Sequence, residues 1–215
     1  MKSVFETVKE IKQSFRLMMD GAVAQSMRDK GLNYHLNWGA TLPRLQAKAQ
    51  EIKAMFNVSS LMFNVYDLSI ALWKENVREC KILATMLMPP DEILPEVVDI
   101  WQEQIPSQEI AEQLAFNLYQ HLPFAAEKAY QWIASDKEYD QLCGFHVLSR
   151  LFMNGQEPNE RGINEYLDEA LCALQGPFPS VRKAALQSLQ RFAELGVLYE
   201  RLAKSATKSI DLDIF

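Results

Sequence analysis

Glycine is scarce in this chain, with eight in 215 residues, and none sits in a glycine-rich phosphate loop. A nucleophile elbow and an HExxH pair are also missing. Those gaps remove the commonest routes to nucleotide hydrolysis, serine-type acyl transfer and zinc proteolysis. Cysteine is nearly absent too: Cys80, Cys143 and Cys172 are odd in number and far apart. Each falls at an apolar position of a helical pattern, so the expectation is three reduced core thiols in a cytoplasmic protein. No apolar run is long enough to cross a bilayer, and charges interrupt the first twenty residues, which argues against a signal peptide. Period-two alternation is almost wholly lacking, so strands are not expected.

What is present is helical periodicity. Val4, Val8, Ile11, Phe15 and Met18 form an apolar stripe at steps of three and four, predicting a helix over 3–19. A short helix over 22–30 should end at Gly31, and Thr41 can cap the next, with Pro43 in its first turn. From there proline and glycine punctuate the chain. The spacing predicts helices over 60–73, 75–87, 92–104, 107–121, 123–134, 138–154, 159–174, 179–195 and from 197 to about 205. Pair starts near Leu61, Glu92, Phe124 and Glu160 are roughly 30–36 residues apart, the rhythm of helical repeats. A single pair cannot bury its own apolar face, so neighbours must stack. The expected fold is all-α: an α-α superhelix, a HEAT-like solenoid of antiparallel helix pairs. It is expected as one domain over 1–215, with capping helices over 1–57, stacked pairs over 58–206 and a tail over 207–215. Most methionines, including Met18, Met19, Met27, Met55, Met62, Met86 and Met88, read as gap-filling core residues. The four tryptophans, Trp38, Trp73, Trp101 and Trp132, read as packing residues.

Charge is unevenly spread. Net charge is −6, yet residues 1–60 carry nine Lys/Arg against five Asp/Glu. Residues 61–140 carry five against fourteen, and the stretch 180–208 holds six basic residues and two acidic ones. The basic ends could meet a polyanion that the acidic middle would repel.

Three segments carry a family likeness: LNYHLNWGATLPRLQAKA (32–49), DLSIALWKENVRECKILATMLM (67–88) and SVRKAALQSLQRFAELG (180–196). They resemble the DNA alkylation repair family (AlkD-like HEAT-repeat DNA glycosylases). That resemblance implies a positively charged concave cradle for duplex DNA. It also implies a cleft in which an essential aspartate is flanked by tryptophans. The matching helix here reads Gln108-Glu109-Ile110-Ala111-Glu112. Glu112 takes the aspartate's place and keeps a carboxylate; Gln108 stands where a tryptophan is expected, and Gln187 where a second one is. Leu142 lies near the place of a family arginine. A carboxylate can stabilise the positive charge that develops on deoxyribose as a base departs, or can activate water. Aromatic faces hold a cationic alkylated base, and here they are missing.

The nucleic-acid-binding candidates are Arg44 and Lys48 near one end, and Arg182, Lys183 and Arg191 near the other. Each could equally be ordinary surface charge, and Gln108 with Glu112 could be a solvated helix face. Cys143 and His146 share a helix face, but no second pair completes a metal site. No cofactor or metal is called for. The expected function is a DNA alkylation repair-like protein that binds duplex DNA, with its base-excision machinery depleted. The alternative is a non-catalytic scaffold on the same fold for a protein partner.

Overall fold

The computed structural model describes residues 3–58 and 63–208. Its helices are α1 (Val4–Leu17), α2 (Gly21–Asp29), α3 (Leu42–Val58), α4 (Val65–Lys74), α5 (Arg78–Leu87), α6 (Pro95–Glu103), α7 (Gln108–Asn117), α8 (Ala125–Ile133), α9 (Glu138–Met153), α10 (Glu160–Gln175), α11 (Pro179–Ala193) and α12 (Val197–Lys208). A 3-10 turn, Tyr119–His121, follows α7. No strand occurs among the described residues, only one isolated bridge between Leu36 and Val77. The expected helix start at Ser60, the pair start at Leu61, Met62 and the tail from residue 209 lie outside the described residues.

Local sequence explains most boundaries. Ser3 and Glu6 form a reciprocal capping box on α1, and Asn64 and Asp67 form another on α4. The side chains of Asp20, Ser107 and Asn159 accept from backbone N–H groups to start α2, α7 and α10. Four boundaries differ from expectation. The helix expected over 60–73 begins at Val65, because Asn64 caps it and neither Phe63 nor Asn64 is helical. The helix expected from Glu75 begins at Arg78, because Val77 is extended and pairs with Leu36, whose carbonyl accepts from Arg78 N–H at 3.0 Å. The helix expected after Asp91 begins at Pro95, since a residue preceding proline resists helical dihedrals and Leu94 becomes the boundary. The helix expected to reach His121 stops at Asn117, where Leu118 leaves helical geometry. Two core expectations also fail. Cys172 is exposed, on the outer side of α10, and Met19 is exposed beyond the end of α1.

The chain forms two compact units, residues 1–100 and 101–215. In the first, α4 packs on α1 and α5, and α3 packs on α5. Phe15, Leu45, Ile52, Leu68, Leu72 and Leu83 are almost fully buried there. The loop before α3 is fixed by a buried charged pair. Glu79 Oε1 accepts from the N–H groups of Trp38 (3.1 Å) and Ala40 (3.2 Å), while Arg78 Nη1 donates to the Ala40 carbonyl (2.8 Å). Gly39, at φ +73°, sits so close to α2 that a Cβ would lie 2.1 Å from the Asp20 carbonyl oxygen.

In the second unit, α7, α9 and α11 lie side by side in one row, and α8, α10 and α12 form another. The α8–α9 and α10–α11 pairs match the expected repeat rhythm, and neighbouring pairs stack as that rhythm requires. Phe152, Tyr166, Phe192 and Tyr199 join α9, α10, α11 and α12 in one aromatic cluster, with successive ring centroids 5.0–5.5 Å apart. The central helix is α9, with seven consecutive buried residues from Leu142 to Leu148. Gly144 is where it crosses α8. A Cβ there would lie 2.7 Å from Ile133 Cγ2 and 2.9 Å from both the Ala129 carbonyl oxygen and the Ile133 nitrogen. Backbone atoms cannot move aside as a side-chain tip can. Gly144→Ala is therefore expected to lower the unfolding free energy by about 1–3 kcal/mol, despite the better helix propensity of alanine. Urea denaturation monitored by circular dichroism checks this; an unchanged midpoint would mean that α8 and α9 can separate at no cost.

Candidate nucleic-acid interface on α7, α9 and α11

Ser107 begins α7 by accepting from Ile110 N–H, which orients the first turn. Ile110, Ala111, Leu114 and Ala115 are buried, so the opposite face, with Gln108, Glu112 and Phe116, turns outward. Gln108 and Glu112 do meet: Gln108 Nε2 donates to Glu112 Oε1 at 2.8 Å. The carboxylate is thus half-buried and already holds one amide donor.

The neighbouring surface of α9 comes next. The Phe116 ring contacts the His146 imidazole edge-on, with centroids 4.8 Å apart. The Arg150 guanidinium lies over Phe116, 4.8 Å from its centroid. His146 is only 9% exposed, and its Nε2 has no hydrogen-bond partner among the described residues. Burial, with smaller contributions from Arg150 and Lys183, pushes the imidazole down to about 4, so it is neutral near pH 7. Lys183, at the start of α11, is near enough to the imidazole to add to that downward shift. Ser180 Oγ fixes that register by donating to Glu138 on α9 at 2.6 Å. One turn beyond Lys183, exposed Gln187 continues the face.

The residues singled out in the sequence therefore separate. Gln108 and Glu112 meet on α7, while Lys183 lies near His146 with Gln187 one turn beyond it on α11. Arg182 points elsewhere, donating to the Gly176 carbonyl at 2.6 Å beside its own helix start. Arg191 is paired with Glu194 at 2.6 Å. Arg44 and Lys48 belong to α3 in the first unit; Arg44 donates to the Met18 carbonyl, and Lys48 pairs with Glu51. Leu142 is core. Sequence reasoning missed Phe116 and Arg150. Their i,i+4 spacing from Glu112 and His146 was readable, but their meeting depends on how α7 and α9 are aligned.

Cys143 Sγ donates to the Ala111 carbonyl at 3.4 Å inside the α7–α9 contact, and burial raises its thiol pKa strongly. Cys143 and His146 thus serve packing, and no group of three or more His, Cys, Asp or Glu side chains gathers among the described residues.

Comparison with known proteins now decides the family. The sequence model of the DNA alkylation repair enzyme family matches residues 11–195. The chain belongs to this family. Its fold is HEAT-like: a solved structure superposes on 93% of this chain and 81% of its own, at a TM-score of 0.77 and 16% identity. That structure is described as a new family of proteins related to the HEAT-like repeat DNA glycosylases with affinity for branched DNA structures. No curated protein matches the sequence. Family membership covers both units, including α7 with Glu112 and α11 with Gln187.

The buried neutral imidazole has a measurable consequence. Between pH 6.5 and 4 the unfolded chain takes up a proton at His146 that the folded chain refuses, so stability falls as pH falls through that window. Lowering pH from 7 to 5 should remove about 2 kcal/mol through this residue alone. Comparing urea denaturation of wild type and His146→Leu at both pH values checks it. The variant should lose about that much less than wild type, and equal losses would show an imidazole that titrates normally.

Proposed function

We propose that the chain binds duplex DNA through the exposed face of α7, α9 and α11, and that it releases alkylated bases poorly or not at all. One observation carries the binding half: Arg150 and Lys183 lie on this face, and neither has an acidic partner among the described residues. Arg44, Lys48, Arg182 and Arg191 are instead taken up by carboxylates or helix-end carbonyls. Cations left unneutralised within the fold are the ones that can replace counterions on a phosphate backbone. Family membership supplies the polyanion. Net charge of −6 keeps non-specific attraction low and concentrates binding on these few side chains.

The catalytic half rests on what surrounds Glu112. Its carboxylate could stabilise positive charge growing on deoxyribose. The partner positions, however, carry Gln108 and Gln187, which offer hydrogen bonds and no aromatic face. Phe116 is nearby, but Arg150 covers its ring. A cationic alkylated base would thus gain no aromatic contact and would meet a guanidinium instead.

Two measurements test this reading. Duplex affinity should fall steeply with salt, and Arg150→Glu/Lys183→Glu should weaken it by tenfold or more while lowering the log–log salt slope by about two. Undetectable wild-type binding at low salt, or an unaffected double variant, would overturn the interface. In a base-release assay on alkylated duplex, wild type should lie close to the uncatalysed rate, with Glu112→Gln indistinguishable from it. Rapid release that Glu112→Gln abolishes would make this an efficient glycosylase and refute the catalytic half.

A further inference from the structure

A second donor-rich site lies in the first unit. One face of α1 presents Phe5, Lys9, Lys12 and Arg16 at steps of four, three and four, beside the buried Val8–Ile11–Phe15 stripe. That face and the loop carrying Leu36 and Trp38 border a cleft of about 420 Å³. Small-molecule sites begin at roughly 300 Å³, so the space suits one small ligand. Three cations line it against one carboxylate, Glu75, which is already bound to Lys12 at 2.6 Å. Arg16 lies 5.9 Å from the centroid of the Trp38 ring. The indole Nε1–H is buried and donates to no group among the described residues.

Trp38 is held in place rather than draped over the surface. Its N–H donates to buried Glu79, and its carbonyl accepts from Asp20 N–H at 3.0 Å. Phe5 is 77% exposed at the cleft's edge, where an isolated phenyl ring gains nothing from water. The cleft thus combines fixed aromatic and aliphatic surface with positive charge, and its one carboxylate is neutralised. The complementary ligand is an anion with a flat apolar ring.

We infer that this cleft binds a single unpaired nucleotide, with its phosphate on Lys9 and Arg16 and its base against Trp38 and Leu36. The inference rests on the DNA-binding reading above but concerns a different site and a different form of DNA. Bases in a duplex keep their faces inside the stack, so only an unpaired nucleotide can offer one to Trp38. A backbone phosphate alone would leave the apolar wall unused.

Fluorescence anisotropy with the full chain tests it, using a short labelled oligothymidylate and a blunt-ended duplex in parallel. Arg16→Glu and Trp38→Ala should each weaken oligothymidylate binding about tenfold, in the range of one lost base stack. Trp38→Phe should retain most of the affinity, and none of the three should change duplex affinity. Arg150→Glu/Lys183→Glu should show the reverse pattern. If Trp38→Ala does not fold, quenching of tryptophan fluorescence by oligothymidylate in wild type, absent in Trp38→Phe, serves instead. Normal binding by Arg16→Glu overturns the inference. So does a loss confined to Arg16→Glu, or equal competition by polyglutamate, since either describes a surface for any anion. If wild type binds duplex and not oligothymidylate, this inference alone falls. If it binds neither, the DNA-binding reading falls with it.

Discussion

The arrangement of the second unit hangs on the close approach of α8 to α9 at Gly144. With no Cβ at that point, the backbone of α9 rests directly on Ala129 and Ile133, and α9 sinks between three neighbours. Burying a helix this deeply removes nearly all its apolar surface from water and fixes its rotation. Rotation is what matters for the surface. It leaves His146 and Arg150 at the boundary with α7, beside Phe116, and brings Lys183 of α11 towards the imidazole. A helix free to roll by even one residue would carry Arg150 off this face.

The first unit solves a different problem by electrostatic means. The loop over residues 36–40 has few backbone partners of its own, and a loop without them is not held in one place. Glu79 and Arg78 supply those partners from within the core, at 0% and 1% exposure. A buried ion pair is weak support for stability when its charges serve only each other. Here each charge also bonds to the loop backbone, so the pair acts as a template for the loop. Trp38 is positioned as a result, and the cleft against α1 follows from that.

The two surfaces share a chemical logic and differ in how they relate to the family. α7 and α11 carry Glu112 with Gln108 and Gln187, where the family resemblance leads one to expect an aspartate and two tryptophans. These side chains offer polar contacts suited to a backbone and no aromatic face for a flat cationic base. In the first unit an aromatic ring next to cations sits on a loop outside that helix row. Recognition of a cationic alkylated base needs an aromatic face and backbone recognition does not, which is why the proposed function keeps the second and drops the first.

Much of the fold was legible in the chain itself. Ser3, Ser107 and Asn159 mark helix starts by local hydrogen bonding, and Gly31 and Gly155 mark ends through their positive φ. Those signals act within a few residues, and so sequence alone carries them. The glutamines at 108 and 187, and the i,i+4 link between Gln108 and Glu112, were also readable, because one helix turn sets them. The later start of α5 was not, since it depends on Val77 pairing with Leu36, forty-one residues away. Nor was the division among the basic residues. Arg182 and Arg191 look as available as Lys183 in one dimension, yet each finds a partner in its own helix surroundings. Sequence by itself determined that the chain is a stack of helix pairs and which side chains each helix carries. Tertiary structure alone decided which cations stay unpaired and which aromatic rings they meet, because helix rotation and register are set by packing between segments far apart in the chain.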